Sequence, residues 1–110
     1  MPRFKMIALT RPVPGREAEY NEWYQTKHLP EICAFPGVVG AQRYVEAAAL
    51  QGGDDRKFLA IYDIETDDLG GFLGAIGKAS AEGKMTVSEA SDNAGAYTVI
   101  FTEFGERVGG

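Results

Sequence analysis

His28 is the only histidine in this chain. No other side chain has an unperturbed pKa near neutral pH, so acid–base chemistry there points first to its imidazole. Tyr24 precedes it by one helical turn, within the stretch Asn21–Gly37, NEWYQTKHLPEICAFPG. That stretch also holds the only tryptophan, Trp23, and the only cysteine, Cys33. A positioned imidazole acting as general acid or base contributes about 10²–10⁴-fold to a rate. Tyr24 and Tyr62 carry phenols that can donate to a carbonyl or enolate oxygen as charge develops on it. Trp23, Phe58 and Phe72 are candidate contacts for a flat apolar ligand, since such sites are lined mainly by aromatic and aliphatic side chains.

Each of these residues also has a structural role to weigh. His28 at a helix end can cap the last carbonyls, which lack partners within the helix. Buried tyrosines usually pack and find one partner for the hydroxyl. Trp23 suits a position between helix and sheet. Cys33, with no base beside it, suits a small buried hydrophobe.

Other chemistries find little support. One His and one Cys cannot supply the four ligands of an ordinary structural zinc site. No spacing motif joins His28 to carboxylates, so neither a metal nor a cofactor is expected. A haem would have only His28 as an axial histidine. Gly70, Gly71, Gly74 and Gly77 form neither a dinucleotide fingerprint nor a phosphate loop. They are expected to allow close helix–sheet approach or to leave room for a ligand. The net charge is −5 and no Lys/Arg cluster occurs, which argues against nucleic acid and anionic membranes as partners. No run of about 20 apolar residues is present to span a membrane. A single cysteine forms no internal disulfide. The N-terminus lacks a signal-peptide pattern, so a cytoplasmic location is expected.

The elements that must position these residues follow from periodicity. The 110 residues suit one domain, 1–110. Phe4–Arg11 reads as a strand stopped by Pro12 and Pro14. Gly15–His28 reads as a helix, with Tyr20, Trp23, Tyr24 and Lys27 or His28 at spacings of three and four. Pro30 disfavours helical geometry at Leu29, which predicts a helix end near His28. Pro36–Gly37 marks a turn, and Val38–Glu46 and Phe58–Glu65 read as strands around a polar turn. Thr66–Asp67–Asp68 reads as the start of a helix running to about Ala81, with Leu69, Phe72, Leu73 and Ile76 on one face. Glu82–Ala94 is irregular, with Met85 and Val87 as expected anchors. Ala96–Phe104 is the last strand. The order βαββαβ is that of the ferredoxin-like fold, a four-stranded antiparallel sheet with both helices on one face.

The strands lack a polar face. Phe58, Ala60, Tyr62 and Ile64 oppose Leu59 and Ile61; Phe4, Met6 and Ala8 oppose Ile7 and Leu9; Tyr97, Val99 and Phe101 oppose Ile100 and Phe104. An uncovered sheet face normally carries polar residues. A second copy packed sheet to sheet is the simplest cover, giving a homodimer. Asp63 lies on the face opposite Tyr62, and Arg43 is its candidate partner, within the sheet or across the dimer.

The run GREAEYNEWYQTKHLPEICAFPGVVGAQRY resembles the dimeric α+β barrel superfamily, in particular its EthD-like branch. Trp23–Tyr24, His28–Leu29–Pro30, Pro36–Gly37 and Ala41–Gln42–Arg43–Tyr44 carry the resemblance, in order, over about a third of the chain. It implies a homodimer with a cleft in each subunit between sheet and helices. It does not decide the reaction, because the scaffold serves isomerases, cyclases, cofactor-free monooxygenases, decarboxylases, dehydratases and haem enzymes. The expectation is a cofactor-free enzyme of isomerase, cyclase, dehydratase or decarboxylase type. Its substrate would be a small apolar aromatic or polyketide-like carbonyl compound, with His28 moving the proton. The alternatives are a non-catalytic ligand-binding accessory protein and a quinone-forming monooxygenase.

Overall fold

A computed structural model describes residues 1–109. The elements are β1 (Arg3–Thr10), α1 (Glu17–Trp23), a π-helical segment (Tyr24–His28), α2 (Leu29–Cys33), β2 (Val38–Val45), β3 (Phe58–Glu65), α3 (Leu69–Ala81) and β4 (Tyr97–Thr102). The four strands form one antiparallel sheet in the order β2-β3-β1-β4. This is the expected ferredoxin-like arrangement, with the helices on one face.

Strand alternation sets the two faces. Met6, Ala8, Ala60, Tyr62 and Ile64 are buried beneath the helices with Tyr20, Tyr24, Leu29, Ile32 and Phe72. The outer face presents Ile7, Leu9, Leu59, Ile61 and Val99, all partly buried, and the more exposed Tyr44, Tyr97 and Phe101. The last strand stops at Thr102, and Phe104 is fully exposed beyond it.

The first helical region departs from its expected end. Leu29 stays helical at φ −58°, ψ −50°, and the chain coils on to Cys33. A π turn accommodates the proline: the Leu29 N–H reaches back five residues to the Tyr24 carbonyl. A wider turn relieves the clash of the Pro30 ring with the preceding turn, where an α-helix would kink. His28 therefore lies within the helical path rather than at its end, and it makes no side-chain capping bond. The capping role does not hold.

A second irregularity sits in β2. Val38 pairs with Ile64 and Gly40 with Asp63, leaving Val39 as an extra residue. This bulge shifts the alternation by one. Arg43, opposite Ala60, thereby joins the helix-covered face. The expected Arg43–Asp63 pair does not form, because the two side chains lie on opposite faces. Asp63 pairs instead with Lys5, its direct cross-strand neighbour.

The Asp68 carboxylate accepts from the Gly71 N–H at 2.9 Å and caps α3. A Cβ on Gly71 would meet that carboxylate at 2.3 Å, while Gly74 and Gly77 face open space. The α3 glycines thus serve the cap or lie free, and close helix–sheet approach is not their role. Leu73 is 44% exposed and lies outside the core, so α3 docks through Leu69, Phe72 and Ile76. In the irregular segment after α3, Met85 packs on the core, but Val87 is 76% exposed; Ala90 and Ser88 are the buried residues.

Candidate functional site

The π turn aims three aromatic rings at one another. His28 stacks on Trp23 with centroids 4.8 Å apart and planes 19° apart. It meets Tyr24 edge-on, also at 4.8 Å. Its Nδ1 is buried without a hydrogen-bond partner. Burial pushes the imidazole pKa below the usual 6.5, with Glu31 opposing the shift. The ring is therefore neutral at pH 7, the form a general base requires.

Tyr24 and Tyr62 meet across the helix–sheet interface, their hydroxyls 3.4 Å apart. Both are almost wholly buried, at 3% and 1% exposure. Burial raises both phenol pKa values above 10. They remain protonated donors throughout the physiological range. Tyr20 is equally buried and shares a hydrogen bond with the Thr10 hydroxyl.

Arg43 completes the cluster. Its guanidinium lies 4.7 Å from the Tyr24 ring centre, 5.8 Å from Tyr20 and 5.7 Å from Phe58. It donates to the Asn21 side-chain oxygen at 2.7 Å and to the Asn21 carbonyl at 3.4 Å. Among the described residues no carboxylate pairs with it, so the half-buried charge rests on aromatic faces and one amide.

The structure thus brings together His28, Tyr24, Tyr62, Trp23 and, through Arg43 and Tyr20, Phe58. Phe72 stands apart: it is buried under α3 near Gly37 and Thr66. Trp23 is only partly buried, and its indole N–H donates to the Thr86 hydroxyl at 3.2 Å. Cys33 is partly exposed, and burial raises its thiol pKa. Among the described residues no three His, Cys, Asp or Glu side chains converge as metal ligands.

Two half-open grooves lie on the described surface. One, of about 460 Å³, lies against the outer sheet face and is lined by Lys5, Val39, Asp63 and Phe101 among others. The other, of about 430 Å³, is lined by Arg11, Pro12, Lys57 and Phe58 among others. Neither touches His28, Tyr24 or Tyr62, and Phe58 alone joins a groove to the aromatic cluster. A ligand reaches the tyrosine hydroxyls only by displacing side chains.

Sequence reasoning missed the parts played by Arg43, Asn21, Glu31 and Thr86. Gly40 was the available signal for Arg43, because a glycine inside a strand often marks a bulge. Nothing local marks Thr86, which is 55 residues from Glu31.

No protein-family model and no curated protein matches the sequence. Solved structures do. An ethyl tert-butyl ether degradation (EthD) family protein from Bacillus halodurans aligns with a TM-score of 0.59 at 17% identity, over 93% of this chain and 99% of its own. A putative antibiotic biosynthesis monooxygenase from Bordetella bronchiseptica gives 0.64 at 18% identity, over 94% and 99%. A dimeric ferredoxin-like protein of unknown function from Jannaschia sp. CCS1 gives 0.63 at 11% identity, over 92% and 99%. The fold is ferredoxin-like α+β. At these identities the likeness is one of fold, and it covers nearly the whole chain rather than the Gly15–Tyr44 run alone. Within this ferredoxin-like scaffold the aromatic cluster sits between the sheet and the first helical region, on the side away from the apolar outer face.

Proposed function

We propose that the chain is a cofactor-free homodimeric enzyme acting on a small apolar carbonyl compound, aromatic or polyketide-like, in the cytoplasm. His28 transfers a proton in an isomerisation, cyclisation, dehydration or decarboxylation. Tyr24 and Tyr62, held protonated by burial, donate to the oxygen on which charge develops. The carrying observation is the buried His28 Nδ1 without a partner, on an imidazole held neutral. Buried polar atoms are rarely left unpaired, and a catalytic role is one of the few physical accounts of an exception, beside strain or an ordered water or ion. The apolar outer face supports the homodimer, as does the description of the Jannaschia neighbour as dimeric.

Candidate carbonyl metabolites are screened by thermal shift, where a ligand at 100 times its Kd stabilises by about 2.7 kcal/mol. On the compound so found, His28→Ala is expected to lower kcat about 10²–10⁴-fold. Unchanged turnover would remove His28 from the mechanism. A second reading, a non-catalytic binder of a hydrophobic metabolite, is favoured by the sealed tyrosines; it predicts saturable binding without turnover. Oxygen consumption with a phenolic compound would instead favour a quinone-forming monooxygenase; the Bordetella neighbour is described as a putative antibiotic biosynthesis monooxygenase.

A further inference from the structure

Residues 82–91, between α3 and the approach to β4, have no helix or strand and form a strap attached beside His28. The attachment concentrates at Thr86. Its hydroxyl donates to Glu31 Oε1 at 2.7 Å, and its backbone N–H donates to the same carboxylate at 3.1 and 3.2 Å. The same hydroxyl accepts from Trp23 Nε1 at 3.2 Å. A hydroxyl has one proton to give and lone pairs to receive, and Thr86 uses both with different partners. The bond to the carboxylate is charge-assisted, which makes it the stronger kind.

The three partners come from separate parts of the chain: Trp23 ends α1, Glu31 lies in α2 and Thr86 belongs to the strap. Trp23 in turn covers one face of His28, and Tyr24 meets the ring edge-on. Glu31 is the charged group acting on His28, and it favours the protonated form. Met85, next to Thr86, packs against the core and seats the strap.

We infer that Thr86 is a positioning residue whose single hydroxyl docks the strap on Glu31 and fixes the Trp23 plane against His28, so that closing the strap and shielding the His28 ring are one event. The inference concerns the same site as the proposed function but does not need His28 to be catalytic. An idle His28 would be shielded in the same way.

The test compares the full chain with Thr86→Val, which keeps the shape and loses the hydroxyl, and Thr86→Ser, which restores it. The sole histidine and sole tryptophan make both readouts unambiguous. In Thr86→Val the His28 ring, followed by proton NMR, is expected to titrate about half a unit higher, roughly a threefold gain in proton affinity. Trp23 emission is expected to move to longer wavelength as the indole meets water. Thr86→Ser is expected to return both to wild-type values. A Thr86→Val protein that titrates and emits like wild type overturns the inference, as does a Thr86→Ser protein that behaves like Thr86→Val. Should Thr86→Val fail to fold, Glu31→Ala removes the carboxylate that docks the strap and leaves Trp23 in place. Tryptic cleavage after Lys84, in the strap, is then expected to accelerate severalfold, and an unchanged rate overturns the inference. Absence of turnover on every candidate compound, with these changes still seen in Thr86→Val, would count against the proposed function and leave the inference about Thr86 standing.

Discussion

Replacing Tyr24 and Tyr62 by phenylalanine, singly and together, gives a thermodynamic cycle on the buried hydroxyl pair. The 3.4 Å separation is longer than the roughly 2.5–3.0 Å usual for O–H···O bonds, so the bond itself sits near the weak end, at about 0.5 kcal/mol. The larger quantity is the cost of stranding the remaining hydroxyl. Both side chains are almost wholly buried, and each is the only hydrogen-bond partner of the other's hydroxyl among the described residues. An unsatisfied buried hydroxyl costs about 1–3 kcal/mol, which each single variant should show. The double variant strands nothing and removes two desolvated groups, so it should lie closer to wild type than either single variant. The expected coupling is about 0.5–3 kcal/mol. Urea titrations with unchanged m-values supply the four stabilities. Both phenols stay protonated, so the result should not change between pH 6 and about 9. Additive single and double variants would refute the argument, because they would mean the hydroxyls do not sense each other. A double variant more stable than wild type would mark the pair as stability given up for function.

Three further outcomes follow from the same geometry. The folded-state pKa of His28 lies below its unfolded value of 6.5, so the unfolded chain binds the proton more readily. Stability should therefore be full above pH 6.5 and fall as pH drops toward the folded pKa, and His28→Phe should flatten that limb of a pH series of urea melts. Asp68→Ala should remove the α3 cap and cost about 0.5–2 kcal/mol; equal stability would deny the cap. Ile61→Glu places a charge at the centre of the apolar outer face, and light scattering should find a monomer where wild type gives a dimer. A monomeric wild-type protein would remove the sheet-to-sheet argument.

The fold was largely legible in the chain because strand alternation and helical spacing are strong signals. Phe58–Glu65 matches β3 residue for residue, and the other strands agree to within two residues at each end. Where the reading failed, a single residue changed the phase. Pro30 signalled a helix end, but a π turn absorbed it and kept His28 inside the helical path. Val39 signalled an ordinary strand, but a bulge turned Arg43 toward the tyrosines. The candidate site was legible in its residue types, since His28, Tyr24, Tyr62 and Trp23 do converge. Its long-range partners were not, because Thr86 meets Glu31 and Trp23 through tertiary packing that leaves no trace in local pattern.

The π turn makes the orientation of the site a matter of chain length. A helix advances about 100° per residue, so removing one residue from Tyr24–His28 would rewind the turn to α geometry and swing everything beyond it by about that angle. The imidazole would leave the indole and face another direction, with every side chain of the site still present. A gene encoding this scaffold can therefore re-aim the histidine in one step, by gaining or losing a codon rather than by exchanging a residue.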